Sequence, residues 1–577
     1  MTDLDEVART ILERRYLRQD ETGAVVETPD EMFHRVASNL AEAEAAFGGD
    51  PEAAATAFYD AMSNLRFLPN SPTLMNAGTD LQQLAACFVL PLEDSLESIF
   101  GTLETTALVH QSGGGTGFSF SPIRPRGDVV KKTGGVASGP VSFMKVFDAA
   151  TEQIKQGGRR RGANMAVLDV DHPDVLEFVT AKREEGVLRN FNLSVATTEA
   201  FWDAYDAGEA YDLVNPRTGN VVETMDPDRV LDHVAEMAWA TGDPGVLFLD
   251  AIQAANPTPG VGEIRATNPC GETPLLPYEA CVLGSVNLAT MTDGGEVDWE
   301  ALGDTVRLGI RLLDNAIETS DFPDERIEAR MAGNRKVGLG VMGFHDMLVD
   351  LGIAYDSADA VEFADDLFAF VASEAEEASR GLADERGAFP NADESGYDDP
   401  IRNATRTAVA PTGTISMIAG CSSSVEPIYS VAYEKHVMGG LEIVNDRFVE
   451  LARERGFYSE ELMDEVRERT SIQDVDAVPD DVKRLFQTAH DVSPARQLDL
   501  QAAVQGHVDN AVSKTINLPE DADVDDVRDV LVRARDLGVK GVTVFRSGSK
   551  PEQVLGGDPL KEECASECDY VTPENEP

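Results

Sequence analysis

Positive charge is in short supply along this chain: 48 Lys and Arg stand against 103 Asp and Glu, for a net charge of −55. Only 12 of the 48 are lysine. A surface of that sign repels polyanions and excludes nucleic acid as a partner. The acids are spread along the chain and not blocked at one end, which argues against an acidic interaction tail. Acid excess with few lysines is what a protein kept soluble in concentrated salt shows, since screening relieves self-repulsion. Cysteine is sparse too. Six thiols, at 87, 270, 281, 421, 564 and 568, do not resemble a secreted disulfide framework. No uninterrupted apolar run approaches a membrane span. The charged start Met1-Thr2-Asp3-Leu4-Asp5-Glu6 has no apolar core of a signal peptide. These absences point to the cytoplasm. What remains is a 577-residue chain, 42% hydrophobic, large enough for several domains or one elaborated one, and without an internal repeat.

The chain is organised around Arg265-Ala266-Thr267-Asn268-Pro269-Cys270-Gly271-Glu272-Thr273-Pro274. Pro269 pushes Asn268 out of the helical region, Gly271 permits unusual dihedrals, and Pro274 interrupts regular structure again. Alternation on an extended tip would point Asn268, Cys270 and Glu272 the same way. A lone cysteine is ordinarily a small packed hydrophobe. Here a carboxylate two residues away and a second thiol at Cys281 favour chemistry.

This stretch resembles the active-site loop of ribonucleotide reductases, most closely the adenosylcobalamin-dependent class II enzymes, and the resemblance covers roughly residues 67 to 550. It implies a ten-stranded α/β barrel with the Cys270 loop threading its centre. A helical segment (1–66) would precede the barrel (67–546), and a flexible redox tail (547–577) would follow it. It further implies that Cys270, Glu272, Asn268, Cys87 and Cys281 are catalytic. Substrate would lie against Ser71, Ala86, Cys87, Gly115, the run from Asn268 through Pro269, Cys270 and Gly271 to Glu272, and the loop Pro411, Thr412, Gly413, Thr414 and Ile415. Asp94, Ser95, Leu96, Arg124 and Lys131 would hold a deoxynucleoside triphosphate effector, with Gln156 and Arg160 relaying its identity to the substrate base.

The residues themselves support several of these placements. Thr28-Pro29-Asp30-Glu31 is a capping box, with Met32, Val36 and Leu40 following at helical spacing. That segment is too short, and lacks the motifs, to resemble the ATP-cone of some reductases. Pro69 to Gly78 reads as a loop, and Leu84 to Leu90, with Cys87 inside it, as a buried strand. Asp94-Ser95-Leu96-Glu97 reads as a second capping box. Gly113-Gly114-Gly115-Thr116-Gly117 is not a dinucleotide fingerprint and reads as a structural turn. Arg124, Arg126, Lys131 and Lys132, then Arg159 to Arg161 between glycines, are phosphate-clamp chemistry in a chain poor in cations. Alternating strand and helix patterns argue for parallel strands: Asn164–Leu168 before a helix, Lys336–Val341 before Phe344–Leu351, and Ser513–Leu518, Val524–Leu537 and Gly541–Phe545 as a βαβ unit. Thr405–Val409, followed by Ala410 to Ser416, reads as a strand ending in an anion cradle. Cys421 is assigned to packing.

Removing a ribose 2′-hydroxyl is hard because hydroxide leaves poorly, and the resemblance implies radical chemistry started by adenosylcobalamin. Cys270 would become a thiyl radical and abstract the 3′-hydrogen. Glu272 would take the 3′-hydroxyl proton and Asn268 would orient the ribose. Cys87 and Cys281 would supply two electrons and end as a disulfide. Cys564 and Cys568, in a Pro-, Gly- and Glu-rich tail, read as a dithiol shuttle to a thioredoxin-like reductant; a zinc half-site would need two more soft ligands nearby. A homodimer is expected. A class I large subunit would carry adjacent tyrosines near the barrel's end, where this chain reads Val542-Thr543-Val544-Phe545-Arg546. The rivals are such a large subunit, a catalytically silent nucleotide-binding regulator, and a thiol oxidoreductase using the tail pair directly.

Overall fold

A computed structural model describes residues 4–130, 134–156, 160–435 and 441–549. The N-terminal region is helical. Thr28 caps the helix Pro29–Ala41 in a complete capping box, and Met32, Phe33, Val36, Ala37 and Leu40 bury one of its faces. This helix packs on the helices Pro51–Ser63 and Trp299–Thr319, so the N-terminal region leans on the body of the molecule.

The body is built on ten strands in one sheet. In chain order these are β1 (Phe67–Pro69), β2 (Cys87–Val89), β3 (Gly115–Ser119), β4 (Asn164–Asp169), β5 (Phe191–Thr197), β6 (Gly245–Phe248), β7 (Ala280–Asn287), β8 (Val337–Met342), β9 (Thr515–Leu518) and β10 (Gly541–Arg546). Strands β2 to β6 run parallel to one another, and so do β7 with β8 and β9 with β10. The two sets meet antiparallel, at β6 against β10 and at β7 against β2. Extended residues 405–409 close the ring. Val337 and Leu339 donate to the carbonyls of Thr405 and Arg406, and on the other side Ser513 donates to Val409 just ahead of β9. The result is the α/β barrel that the resemblance implied, built here from two parallel halves.

Strand alternation separates two cores. Phe88, Ala166, Leu168, Val282 and Val337 point outward into the cluster shared with the helices. Cys87, Val89, Met165, Val167, Cys281 and Leu283 point inward with Ala266, Leu275 and Leu276. Those last three belong to a hairpin inside the barrel, in which Ala266–Thr267 pairs with Pro274–Leu275. A Cβ at Gly117 would fall on the Thr267 carbonyl oxygen, so the hairpin enters only because β3 carries glycine there.

Three local expectations change. Residues 71–76 form a helix and not a loop, because the Asn70 side chain accepts from Thr73 N and Pro72 fits the first turn. The glycine run turns only at Gly113 and Gly114, and from Gly115 it is strand β3. The cap of Leu96–Gln111 is Ser95, accepting from Ser98 N, one residue after the Asp94 cap expected, and the box with Glu97 does not form. The expected βαβ unit forms as β9, the helix Val524–Asp536 and β10. No helix among the described residues is long and apolar enough to cross a membrane.

Candidate active site

The tip of the inner hairpin is a β-turn. Gly271 N donates to Asn268 O at 3.1 Å, with Pro269 at the position where its fixed φ is favourable and Gly271 at φ +86. Asn268, Cys270 and Glu272 are therefore brought together by a turn, and the expected extended alternation does not form. Proline and glycine chemistry outweighs strand period at a hairpin tip. The turn is fixed from outside: Asn192 Nδ2 on β5 donates to the Pro269 carbonyl at 2.8 Å, and Ala511 N donates to the Glu272 carbonyl at 2.8 Å. Thr273 N holds the Asn268 side-chain oxygen at 3.0 Å. Neither Asn192 nor Ala511 was singled out from sequence. A backbone N–H carries no residue signature, and Asn192 looks like any polar strand residue.

The Asn268 amide nitrogen lies 3.1 Å from Cys87 Sγ, and that thiol lies 3.8 Å from Glu272 Oε1. Cys87 and Cys281 face each other directly across β2 and β7. Opposed antiparallel residues have Cα atoms about 4.5–5.5 Å apart, inside the roughly 4.4–6.8 Å that a disulfide spans. The Cys281 thiol is pushed up in pKa by burial, then by the Glu272 carboxylate. Cys270 is partly exposed, whereas Cys87 and Cys281 are buried.

Two cavities meet at the turn. The smaller, of about 730 Å³, is lined by Ser71, Ala86, Cys87, Gly115, Asn268, Pro269, Cys270, Glu272 and the loop from Pro411 to Ile415. Every residue expected at the substrate lines it except Gly271, which faces the larger cavity of about 1430 Å³. Pro269 and Cys270 line both, so the thiol sits in the partition between them. The smaller cavity also takes in Ala410, from the expected anion cradle, and Asn70, Pro72, Leu283, Gly284 and Ser285, which were not expected at the substrate. Tyr16 from the N-terminal region reaches Ser71 Oγ at 2.7 Å. Thr412 holds φ +57, and its hydroxyl accepts from Ser424 N at 2.7 Å, which ties the loop to the segment that follows the short helix Ile415–Ala419.

Of the expected effector residues, Asp94 and Arg124 form an ion pair at 2.7 Å, Ser95 caps its helix and Leu96 is exposed beside it. Gln156 and Arg160 are backbone partners in a two-residue ladder. Lys131, Cys564 and Cys568 lie outside the described residues. Cys421 is partly buried against the outer core, as its assignment to packing requires.

Fold and site define an α/β-barrel enzyme with a thiol at the barrel centre beside an opposed pair of buried thiols. A ribonucleotide reductase barrel-domain model matches residues 85–401 and 392–545, and the all-alpha domain model of the same enzymes matches residues 2–82. The chain belongs to the ribonucleotide reductase family. It is 50% identical to a vitamin B12-dependent ribonucleoside-diphosphate reductase of Mycobacterium tuberculosis, over 96% of this chain and 80% of that one. A protein of the same description from Thermoplasma acidophilum is 46% identical, over 94% and 79%. Among solved structures, the Actinobacillus ureae class Id ribonucleotide reductase alpha subunit superposes with a TM-score of 0.79 at 25% identity, covering 94% of this chain and 97% of that one.

Proposed function

We propose that this chain reduces ribonucleoside diphosphates to 2′-deoxyribonucleotides by thiyl-radical chemistry, with adenosylcobalamin as its cofactor. The observation that carries this reading is the position of Cys270 in the partition between two cavities, with Asn268, Cys87 and Glu272 on the smaller side. The larger cavity fits the cofactor in position and in the chemistry of its walls. It reaches the Cys270 thiol and combines apolar walls from Leu247, Val512 and Val544 with polar groups from Asn192, Ser513 and Thr515. When bound, adenosylcobalamin supplies a carbon-centred radical able to take a hydrogen atom from a thiol.

Cys270 then carries the unpaired electron and abstracts the 3′-hydrogen of a ribose in the smaller cavity. Glu272, ionised, accepts the 3′-hydroxyl proton, and Asn268 orients the sugar. Cys87 and Cys281 give two electrons and two protons and close to a disulfide, so that the 2′-oxygen leaves as water; Glu272 gives back its proton, and Cys270 returns its hydrogen to the 3′ position and is left as the thiyl radical again. Ser71 and the loop 411–415 present hydroxyl and backbone N–H groups suited to the diphosphate. Asp94, Ser95, Leu96, Arg124 and Lys131, with Gln156 and Arg160, would receive a deoxynucleoside triphosphate effector in a cytoplasmic homodimer. Cys564 and Cys568 would pass electrons from a thioredoxin-like protein.

The test is to supply purified protein with adenosylcobalamin, a ribonucleoside diphosphate and a small dithiol, and to measure deoxynucleotide. Product is expected. Product only on adding a separate radical-generating subunit would favour the class I reading, and none under either condition the silent regulator.

A further inference from the structure

One buried ion pair inside the barrel has no part in that scheme. Val282 and Val337 are opposite each other in the parallel pair of β7 and β8, which places Lys336 beside Cys281. Val337, Leu339 and Val341 point outward into the helical core, so Lys336 and Gly338 point inward on the Cys281 face. A Cβ at Gly338 would stand 3.3 Å from Cys281 Sγ, which locates the sulfur over β8. The Lys336 ammonium donates to Glu279 Oε2 at 2.6 Å, and both side chains are 1% exposed. Glu279 is held further by Leu276 N at 2.6 Å and by the Asn334 amide. A fully buried lysine is costly, and replacing such a pair by apolar residues often leaves stability unchanged or raises it. Its retention beside a reactive thiol therefore calls for a chemical reason.

We propose that Lys336, held in place by Glu279, is a positioning residue for the redox pair, stabilising the thiolate that forms on Cys281 when the Cys87–Cys281 disulfide is opened. This rests on the reading of Cys87 and Cys281 as the reducing dithiol. A thiolate of the reductant, itself a dithiol, attacks Cys87 Sγ, the sulfur that lines the cavity. The Cys87–Cys281 bond breaks, a mixed disulfide forms at Cys87, and the electron pair leaves on Cys281. The reductant's second thiol then resolves the mixed disulfide, the reductant ends oxidised, and two protons from the two reductant thiols complete the pair of protein thiols. The charge on Cys281 arises in a dry site where burial and the Glu272 carboxylate both oppose it, Lys336 favours it and Glu279 opposes it. Lys336 is the one cation among those charged neighbours. A sulfur that leaves more easily is displaced faster.

The two members of the pair then act with opposite signs, which a merely structural role would not produce. Protein oxidised by one turnover is mixed with excess dithiothreitol at fixed pH, and opening of the disulfide is followed by quenching, alkylation and peptide mass spectrometry. Lys336→Met should slow opening about tenfold, the equivalent of one pKa unit of lost charge stabilisation. Glu279→Gln, which keeps shape but removes the opposing charge, should speed it. If Lys336→Met leaves Glu279 unpaired and the protein does not fold, the neutral double variant of Lys336→Met with Glu279→Gln replaces it and should open more slowly than Glu279→Gln alone. Opening rates that stay unchanged, or that fall in both single variants, overturn the proposal. If the wild type holds no Cys87–Cys281 disulfide after turnover, the dithiol reading has failed and this proposal falls with it; if the disulfide is present and the signs do not oppose, this proposal alone fails.

Discussion

Two buried polar clusters, one outside the barrel and one inside it, are built on opposite plans. Outside, Asp314 accepts from Arg335 at 2.7 Å, Arg386 at 2.8 Å and Arg402 at 3.3 Å. Arg386 and Arg311 also bind Glu44, which ties the N-terminal region to the body. Burial pushes the Asp314 carboxyl up, but the three arginines outweigh it and hold it below the usual carboxylate range. Inside, Asn268, Cys87 and Glu272 meet at 3.1 and 3.8 Å. They are positioned chiefly through the main chain, by Gly271 N, Thr273 N and Ala511 N. Side chains that exist for stability saturate one another. The side chains proposed for chemistry are held by their backbone and line a cavity.

The sharpest way to break the comparison is to remove the central thiol. Cys270→Ala should lower nucleotide reduction below about a hundredth of wild type, because in the proposed mechanism only this thiol carries the radical. Stability should change by no more than about 0.5 kcal/mol, since the side chain is partly exposed. Turnover and urea denaturation measured together check both halves. Appreciable residual turnover would remove Cys270 from its role.

Gly117→Ala tests whether the inner site depends on backbone placement. The added methyl must displace Thr267, the residue before the turn. Activity should fall roughly a hundredfold, as for an error of about 1 Å in a reacting group. A variant as active as wild type would show that the hairpin seat is not what positions Cys270.

Asp314→Ala should do the reverse. It strands three buried arginine contacts and should cost about 3–5 kcal/mol by denaturant titration, while molecules still folded keep their turnover. A loss below about 1 kcal/mol would mean that Glu44, bound to Arg386, and Glu318, which pairs with Arg335 at 2.6 Å and Arg402 at 3.1 Å, compensate the arginines alone.

A smaller effect separates the same two roles by pH. His110 is buried beside Thr116 on β3, at 3.1 Å, and burial pushes its pKa down to about 4. The unfolded chain therefore takes up this proton near its ordinary value of about 6.5, while the folded chain does so only near 4. Above that window the group contributes nothing. As pH falls through it stability declines, by roughly 3 kcal/mol in all at about 1.4 kcal/mol per unit. His110→Gln should flatten that slope in denaturation curves, and an unchanged slope would assign it to other groups.

Much of this molecule is legible locally. The capping box at Thr28, the βαβ unit at the end of the barrel and the buried strand around Cys87 follow from residue type and spacing within a dozen positions. The candidate site residues were legible through motif resemblance, and the smaller cavity collects nearly all of those expected at the substrate. Local reading failed at the turn tip and at residues 71–76, where a single proline or cap residue overrides the pattern around it.

By itself the sequence determined which segments are strand or helix, which strand faces are apolar, and where a thiol lies between breakers of regular structure. Those properties depend on neighbours along the chain. Only the tertiary structure decided that Cys87 opposes Cys281 across 194 residues, that Ala511 N holds Glu272, and that Lys336 stands beside a thiol. These depend on closure of the barrel. Closure juxtaposes strands by register and shear, and register is a property of the whole ring that no single strand carries.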